Sequence, residues 1–343
     1  MTEMMPAVLL DEHRQFAFGQ RPVPQPSSDQ VLVGVDLCGI CGSDLHAHDL
    51  PQVYRGGFVL GHEFSGRVVA YGDDVSGWSV GERVALNPNG NVDGTCEFCL
   101  AGRFNFCRHA TMETALGLQS DGGLEPLVVV SPKTLRRVPE GAGRLEAAWV
   151  EPTGTALRAI RLAGSVAGAK VLVTGGGPIG QLACRLASHF GAARIFLIEP
   201  AIERRAFADA SHVDEALTPD GATARLSSSD RASLEVDVVL ECSGSAAATA
   251  LALQALRPGG VLVVVGAGPG SGLDPLTILM KEITVHGSFT YIDEFDEAIE
   301  LLSAGEIEVV DLTTAVVPLD DALTAMESLR AAKTMKVLID PHA

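Results

Sequence analysis

Three groups of residues in this 343-residue chain combine side chains that hold metals or phosphates. The first is Cys38-Gly-Ile-Cys41-Gly-Ser43-Asp44-Leu-His46, followed by Gly61-His62-Glu63. Thiolate, imidazole and carboxylate are the normal zinc ligands, and a catalytic zinc takes three protein groups while leaving a position open for water or substrate. Each cluster alone is ambiguous. A Cys-x-x-Cys is also a redox pair or half of a structural site, and a His-Glu pair also occurs as an ordinary surface or core pair. The second group is Cys96-Glu-Phe-Cys99 with Cys107, in a chain of seven cysteines without an evident export signal, which suits metal thiolates better than disulfides. The third is Gly175-Gly176-Gly177-Pro178-Ile179-Gly180, a G-x-G-x-x-G that suits a pyrophosphate.

These residues need elements to hold them. From Val31 to about Arg137 the chain reads as short strands punctuated by glycine, such as QVLVGVDLCGICG, FSGRVVAYG and GERVAL, which predicts a small antiparallel barrel. From about Gly168 the apolar runs KVLVTGG, ARIFLIEP, VDVVLECSG and GGVLVVVGAG alternate with alanine-rich stretches that suit helices. Their Val, Ile and Leu are continuous rather than alternating, as in parallel strands covered on both faces. The fold class is therefore α/β, with a doubly wound parallel sheet following a barrel. A helix over DEFDEAIELLSAG, a weaker one near DDALTAMESLRAA and a last strand, MKVLID, are expected to rejoin the first domain. The expected division is 1–152, 153–290 and a returning segment, 291–343. The proline-rich RPVPQP reads as a connector between early strands.

Strand KVLVT runs directly into the glycine turn, and the following residues open a helix. Gly175 permits the tight turn, Gly177 lets the backbone approach a pyrophosphate, and Gly180 allows helix and strand to pack closely, with the helix N-terminus facing the anion. Glu199 ends the second strand, 24 residues after Gly175. A carboxylate there accepts hydrogen bonds from the adenosine ribose hydroxyls and repels the extra phosphate of NADP, so the expected cofactor is NAD. Arg204 and Arg205, one turn later, pull the other way. Cys242, Ser243 and Gly244 end the fourth strand, and Val265 and Gly266 the next, at the sheet end where open parallel sheets bind ligands.

The formal charge of -18 repels phosphate backbones and anionic membrane surfaces, so nucleic acid and membranes are not expected partners. With 47% hydrophobic and 20% charged residues and no apolar run of transmembrane length, the expectation is a soluble, cytoplasmic protein.

CGICGSDLH, GHEFSG, the later cysteine cluster and GGGPIG occur in an order that resembles the zinc-containing medium-chain dehydrogenases, especially the sorbitol and L-threonine dehydrogenase branch. The likeness covers essentially the whole chain. It implies a GroES-like catalytic domain, a Rossmann domain, and oxidation of a secondary alcohol, polyol or sugar-like, to a ketone with hydride transfer to NAD. By matching motifs, Cys41 is the thiolate ligand of a catalytic zinc, His62 the imidazole ligand, and Glu63 a carboxylate on the metal or just outside it. Cys38 is then a strand residue. Glu151, in Glu151-Pro152, reaches the zinc directly or through water. The resemblance makes Ser43 the acceptor of the substrate proton, passed through cofactor ribose to His46, while Asp44 holds local backbone or the group behind a ligand. It also implies a homodimer or homotetramer joined through the Rossmann domains.

The cysteine cluster resembles the family's structural zinc lobe, with one departure: the first of four ligand positions is Asp93 in place of cysteine, giving Asp93, Cys96, Cys99 and Cys107. A carboxylate can ligate zinc, although four thiolates are the commoner closed set. Other readings are L-threonine 3-dehydrogenase, a simple alcohol or diol dehydrogenase, a zinc-free quinone or enoyl reductase, and a non-catalytic dinucleotide-binding protein. The last would need the glycines and Glu199 but not Cys41, Ser43, His46, His62, Glu63 and Glu151 together. Tyr54, Phe58, Trp149, Phe289 and Tyr291 are candidates for a pocket wall, though aromatics in such places are more often core, and packing is the expected role of Cys184.

Overall fold

The computed structural model describes residues 3–208, 210–268, 270 and 272–343. Contacts divide the chain into one unit of Met1–Glu151 with Phe295–Ala343 and a second of Pro152–Glu294. The return to the first unit comes after Glu294 rather than at 290. The Glu294 carboxylate accepts from Arg158 Nη1 at 3.0 Å and from the Ile292 N–H at 2.7 Å, which ties this residue to the second unit.

In the first unit the central strand is Val31–Gly39, buried along almost its whole length because both faces are covered. Glu63–Tyr71 lies against it antiparallel, and Arg83–Leu86 and Leu135–Arg137 follow outward; Leu127–Val130 also pairs with it. Val33, Phe64, Val84, Val128 and Ile339 fill the interior, all 2% exposed or less. Each such side chain contributes about 1.5–3 kcal/mol by leaving water. A second, three-stranded sheet pairs Met4–Leu10 with Phe16–Pro22 and Phe58–Val59. Its edge strand takes in Arg21 and Pro22, so the strand uses the first two residues of RPVPQP; an edge tolerates a residue that donates no hydrogen bond.

One pair in this unit departs from antiparallel order. Thr313–Pro318 runs parallel to Lys336–Asp340, and the helix Ala322–Arg330 lies in the connection between them, as a parallel pair requires a crossover. Thr313–Pro318 does not stand out in sequence, being half-exposed at an edge and ending in proline. The crossover carries the chain's last strand back beside Val31–Gly39, where Ile339 pairs with Cys38.

The second unit is a six-stranded sheet in which every pair is parallel. Its order is Glu215–Leu217, Arg194–Ile198, Lys170–Thr174, Val236–Glu241, Leu256–Val264 and Thr284–Gly287. Val171, Leu172, Val173, Val239, Leu240, Leu262 and Val263 are buried, which accounts for the unbroken apolar runs. Strand order reverses direction from Lys170–Thr174 to Val236–Glu241, the switch point where such sheets bind ligands. Among the described residues no helix is long and apolar enough to cross a membrane.

Candidate metal centre and cofactor turn

The barrel brings Cys41, His62 and Glu63 together: one ligand atom of each lies within 4.8 Å of the other two. Cys41 follows directly on the central strand, while Glu63 begins the neighbouring one and pairs with Gly39. Gly61, at φ +91°, makes the bend that delivers His62; a Cβ there would sit 2.5 Å from Cys38 Sγ. Cys38 is thus a buried strand residue packed under the bend, and burial raises its thiol pKa. His62 is buried, and its Nδ1 lies 3.3 Å from Asp44 Oδ1 without forming a hydrogen bond.

The donor set fits one zinc ion. Bonds of about 2.0–2.3 Å to N, O and S place two ligand atoms at most about 4.6 Å apart, and a buried imidazole nitrogen lacking a partner is otherwise costly. Burial works against the His62 imidazolium, but the charges of Asp44 and Cys41 outweigh it and raise the pKa. A ligating histidine is neutral, so metal entry displaces a proton.

Behind this cluster lie Lys336, which the sequence does not single out, and Tyr54, which it offers only as a pocket or core aromatic. Lys336, only 1% exposed, forms an ion pair with Glu63 and donates to Ile40 O at 3.1 Å, with its ammonium 5.6 Å above the Trp149 ring. Glu63 therefore has one oxygen held by a cation. Burial lowers the Lys336 pKa, yet Glu63 more than compensates and the net shift is upward. Nothing near Glu63 in the sequence announces a lysine 273 residues away. Tyr54 is completely buried and its hydroxyl reaches both Ser43 Oγ, at 2.8 Å, and Asp44 Oδ1, at 3.1 Å. Burial, then the Asp44 charge, push its pKa up, so the phenol stays protonated.

Ser43 precedes the 3-10 turn Asp44–Asp49, and His46 N–H donates to Ser43 O at 3.1 Å. The His46 side chain is exposed. Asp44 accepts the Cys41 N–H at 2.9 Å, which fixes the ligand loop. Arg14 donates to the carbonyls of Ala47, His48 and Tyr54, and Arg330 to Leu45 O, so two guanidinium groups hold this turn from outside. Glu151 starts the helix Val150–Ala163 and stands outside the 4.8 Å cluster, near enough for its charge to act on Lys336. Trp149 and Tyr291 are core residues, whereas Phe289 is 49% exposed.

A second cluster, Asp93, Cys96, Cys99 and Cys107, also lies within 4.8 Å and fits a closed four-ligand zinc. Asp93 Oδ1 accepts from Thr95 N at 2.6 Å and Cys96 N at 2.8 Å, while Oδ2 is 3.5 Å from Cys107 Sγ. Those backbone donors, Cys96 first, hold its carboxyl well below the usual carboxylate range. His109, which looks isolated in sequence, bonds Glu113 at 2.9 Å and Asn91 at 3.4 Å beside this loop.

In the second unit Pro178–His189 is a helix that begins at the glycine turn, with Gly177 capping it and Pro178 and Ile179 in its first turn. Gly175 has φ +90°, and a Cβ on Gly180 would lie 1.8 Å from Gly175 O, so helix and turn touch backbone to backbone. A Cβ on Gly177 would meet only the Arg204 guanidinium, at 3.9 Å. Glu199 sits just past Arg194–Ile198; its two carboxylate oxygens accept from Gly176 N at 2.7 Å and Ala201 N at 2.8 Å. Each retains a lone pair. Across the sheet, Glu241 accepts from the N–H groups of Ser243 and Gly244, and the N–H groups of Val265 and Gly266 both reach its carbonyl at 2.8 Å. This buried carboxylate shapes the turn after Cys242, whose own N–H bonds Thr174 O. Cys184 is buried on the helix, as expected for packing.

Comparison with known proteins agrees with this architecture. Residues 27–140 match the model of the alcohol dehydrogenase GroES-like domain, and residues 178–304 that of the zinc-binding dehydrogenase. The chain is 34% identical to the Aspergillus fumigatus protein named "Probable D-xylulose reductase A", across 96% of this chain and 95% of that one. It is 32% identical to sorbitol dehydrogenase of Halalkalibacterium halodurans, across 98% and 99%. A solved Sinorhizobium meliloti 1021 chain bound to NADP superposes with a TM-score of 0.91 at 31% identity, across 99% of this chain and 100% of that one. With a candidate metal-ligand cluster in a GroES-like barrel and a glycine turn in a Rossmann sheet, the chain belongs to the zinc-binding alcohol dehydrogenases of the medium-chain type.

Proposed function

We propose that this dehydrogenase oxidises a secondary hydroxyl of a polyol or sugar-like alcohol to a ketone and uses NAD. The observation that carries the reading is the cluster of half-buried Cys41 with buried His62 and Glu63, with Ser43 two residues after Cys41 and bonded to Tyr54. When bound, zinc would supply Lewis acidity to the alcohol oxygen and the nicotinamide would accept the hydride. The chain's own residues do the rest. Cys41 and His62 would hold the ion, Asp44 fixes the Cys41 backbone, and Lys336 offsets the Glu63 charge so that the pocket does not accumulate carboxylates. Glu151 would act on the ion directly or through water. Ser43 would accept the alcohol proton, and His46, exposed on the next turn, would release a proton to solvent.

Relatives named for xylulose reductase and sorbitol dehydrogenase support a polyol as the substrate. Glu199 supports NAD, since an adenosine 2′-phosphate beside it would meet a second negative charge. The NADP-bound neighbour and the Arg204 guanidinium near Gly177 make this the point to measure. Reduction of NAD and of NADP should be followed spectrophotometrically with sorbitol, xylitol, L-threonine and butanediol. A kcat/KM for a polyol at least about tenfold above the others, and about tenfold higher with NAD, is expected; preference for threonine or for NADP overturns the corresponding half of the proposal.

We propose further that the chain acts in the cytoplasm as a homodimer or homotetramer joined through its second units, without nucleic acid or membrane. Supporting this, among the described residues the edge strand Thr284–Gly287 pairs on one side only, and Leu276, Leu279 and Met280 on the adjacent helix are 66%, 70% and 72% exposed. Light scattering should give two or four times 35.8 kDa; a monomer refutes it.

A further inference from the structure

Tyr54 presents a hydrogen-bond problem with one physical solution. Its hydroxyl, Ser43 Oγ and Asp44 Oδ1 are three oxygens that share two protons, because an ionised carboxylate only accepts. Asp44 Oδ2 already accepts the Cys41 N–H, whereas Oδ1 faces Tyr54 and the poorly aligned His62 Nδ1. If the phenol donated to Ser43, its lone pairs would confront Oδ1 at 3.1 Å with no proton between them, inside a site where both residues are 0% exposed. A buried carboxylate that loses a donor is expensive, so the phenol proton lies toward Asp44. The Ser43 proton then lies toward the phenol.

We infer that Tyr54 is a positioning residue: by holding the Ser43 proton, it turns a hydroxyl that could donate or accept into an acceptor toward the substrate alcohol. Tyr54 itself touches no reacting atom. The relay keeps its balance: the alcohol O–H breaks and a Ser43 O–H forms, so Ser43 briefly carries two protons, one shared with Tyr54 and one from the alcohol, and releases one of them to solvent by way of His46. What Tyr54 settles is which lone pair meets the alcohol when it binds. Its backbone is pinned for this task, with the N–H on Leu50 O at 2.9 Å and the carbonyl on Arg14 Nη1 at 3.0 Å, and its ring stands edge-on to His62 at 6.4 Å. The inference rests on the assignment of Ser43 as first proton acceptor, and the test separates the two.

The test is a double-mutant cycle with Ser43→Ala and Tyr54→Phe, read on whichever alcohol the enzyme turns over. Phenylalanine keeps the ring and its packing, so melting temperature and zinc content serve as controls and are expected to stay at wild-type values. Tyr54→Phe should lower kcat about tenfold, change alcohol KM less than about twofold and enlarge the solvent deuterium isotope effect on kcat. In the Ser43→Ala background the same change should alter kcat less than about twofold, because its partner is gone. Unaltered kcat and isotope effect in Tyr54→Phe, or an equal loss with and without Ser43, overturns the inference. Should Ser43→Ala alone leave turnover intact, the relay assignment itself falls, and the inference with it.

Discussion

The two candidate zinc sites are built by opposite strategies. In the loop, Asp93, Cys96, Cys99 and Cys107 come from one short stretch, and the apolar cluster around them comprises Cys99, Cys107 and Ala110 with Val92 and Cys96 packed alongside. In the barrel, Cys41 comes just after one strand, His62 and Glu63 come at the start of its neighbour, and Lys336 lies 273 residues beyond Glu63. With so few apolar contacts, the loop is expected to depend on an ion for its shape, whereas the barrel, with its large core, is expected to hold its ligands in place before any ion arrives. A structural metal carries folding energy where the core is small, and a catalytic one can be an exchangeable reagent where the core is large.

The largest expected effect would break the barrel site alone. Cys41→Ser should reduce kcat/KM about a thousandfold or more, with cofactor affinity and the loop's zinc unchanged by metal analysis; retained turnover would remove the zinc chemistry. Next comes the counter-charge. Lys336→Met leaves Glu63 buried and unpaired and should cost about 3–5 kcal/mol in urea unfolding; adding Glu63→Gln should recover part of it, and an equal loss in the double variant would deny the coupling.

A chelator that strips both ions sharpens the contrast by location. Hydrogen exchange should accelerate by at least about tenfold in residues 92–113 while Val31–Gly39 and Glu63–Tyr71 stay protected. Uniform loosening of both would show that the barrel, too, relies on metal.

The smallest effects concern pH, with opposite signs in the two regions. Burial in the barrel, reinforced by Asp121, pushes the Glu125 carboxyl up to about 9. The unfolded chain releases that proton at ordinary carboxyl pH while the folded chain keeps it, so stability falls as pH rises from about 4.5 to about 9. Glu125→Gln should abolish that slope and stabilise by on the order of 2 kcal/mol at pH 8. In the loop, Asp93 has a depressed pKa, so its contribution is present above the ordinary carboxyl range and is lost on acidification. In chelator-treated protein, Asp93→Asn should flatten only the acid side of the stability-versus-pH curve. A shared direction in the two variants would contradict this division.

Most of the framework was legible because its signals are local. The glycine turn with its strand and helix, the unbroken apolar runs of the parallel sheet, and the ligand-bearing motifs each declare themselves within a dozen residues. The structure keeps Cys41, His62 and Glu63 together and leaves Glu151 outside that cluster. Invisible in sequence were the features that depend on distant contacts. Thr313–Pro318 lacks alternation because it is a half-exposed edge. Nothing in the strand MKVLID sets Lys336 apart until the crossover buries it against Glu63. Tyr54 reads as a core aromatic, which it is, yet its one polar atom spans Ser43 and Asp44. Burial can be inferred from hydrophobic pattern, but the partner of a buried polar atom cannot.

The Lys336 ion pair has a bearing on biosynthesis. Glu63 is translated 273 residues before the cation that neutralises it. At about 5–20 residues per second, the nascent barrel spends roughly 14 to 55 s with that carboxylate uncompensated. A buried carboxylate in that state takes up a proton or keeps water beside it, so the charge balance of this pocket is completed only once residue 336 has been made and the crossover has formed.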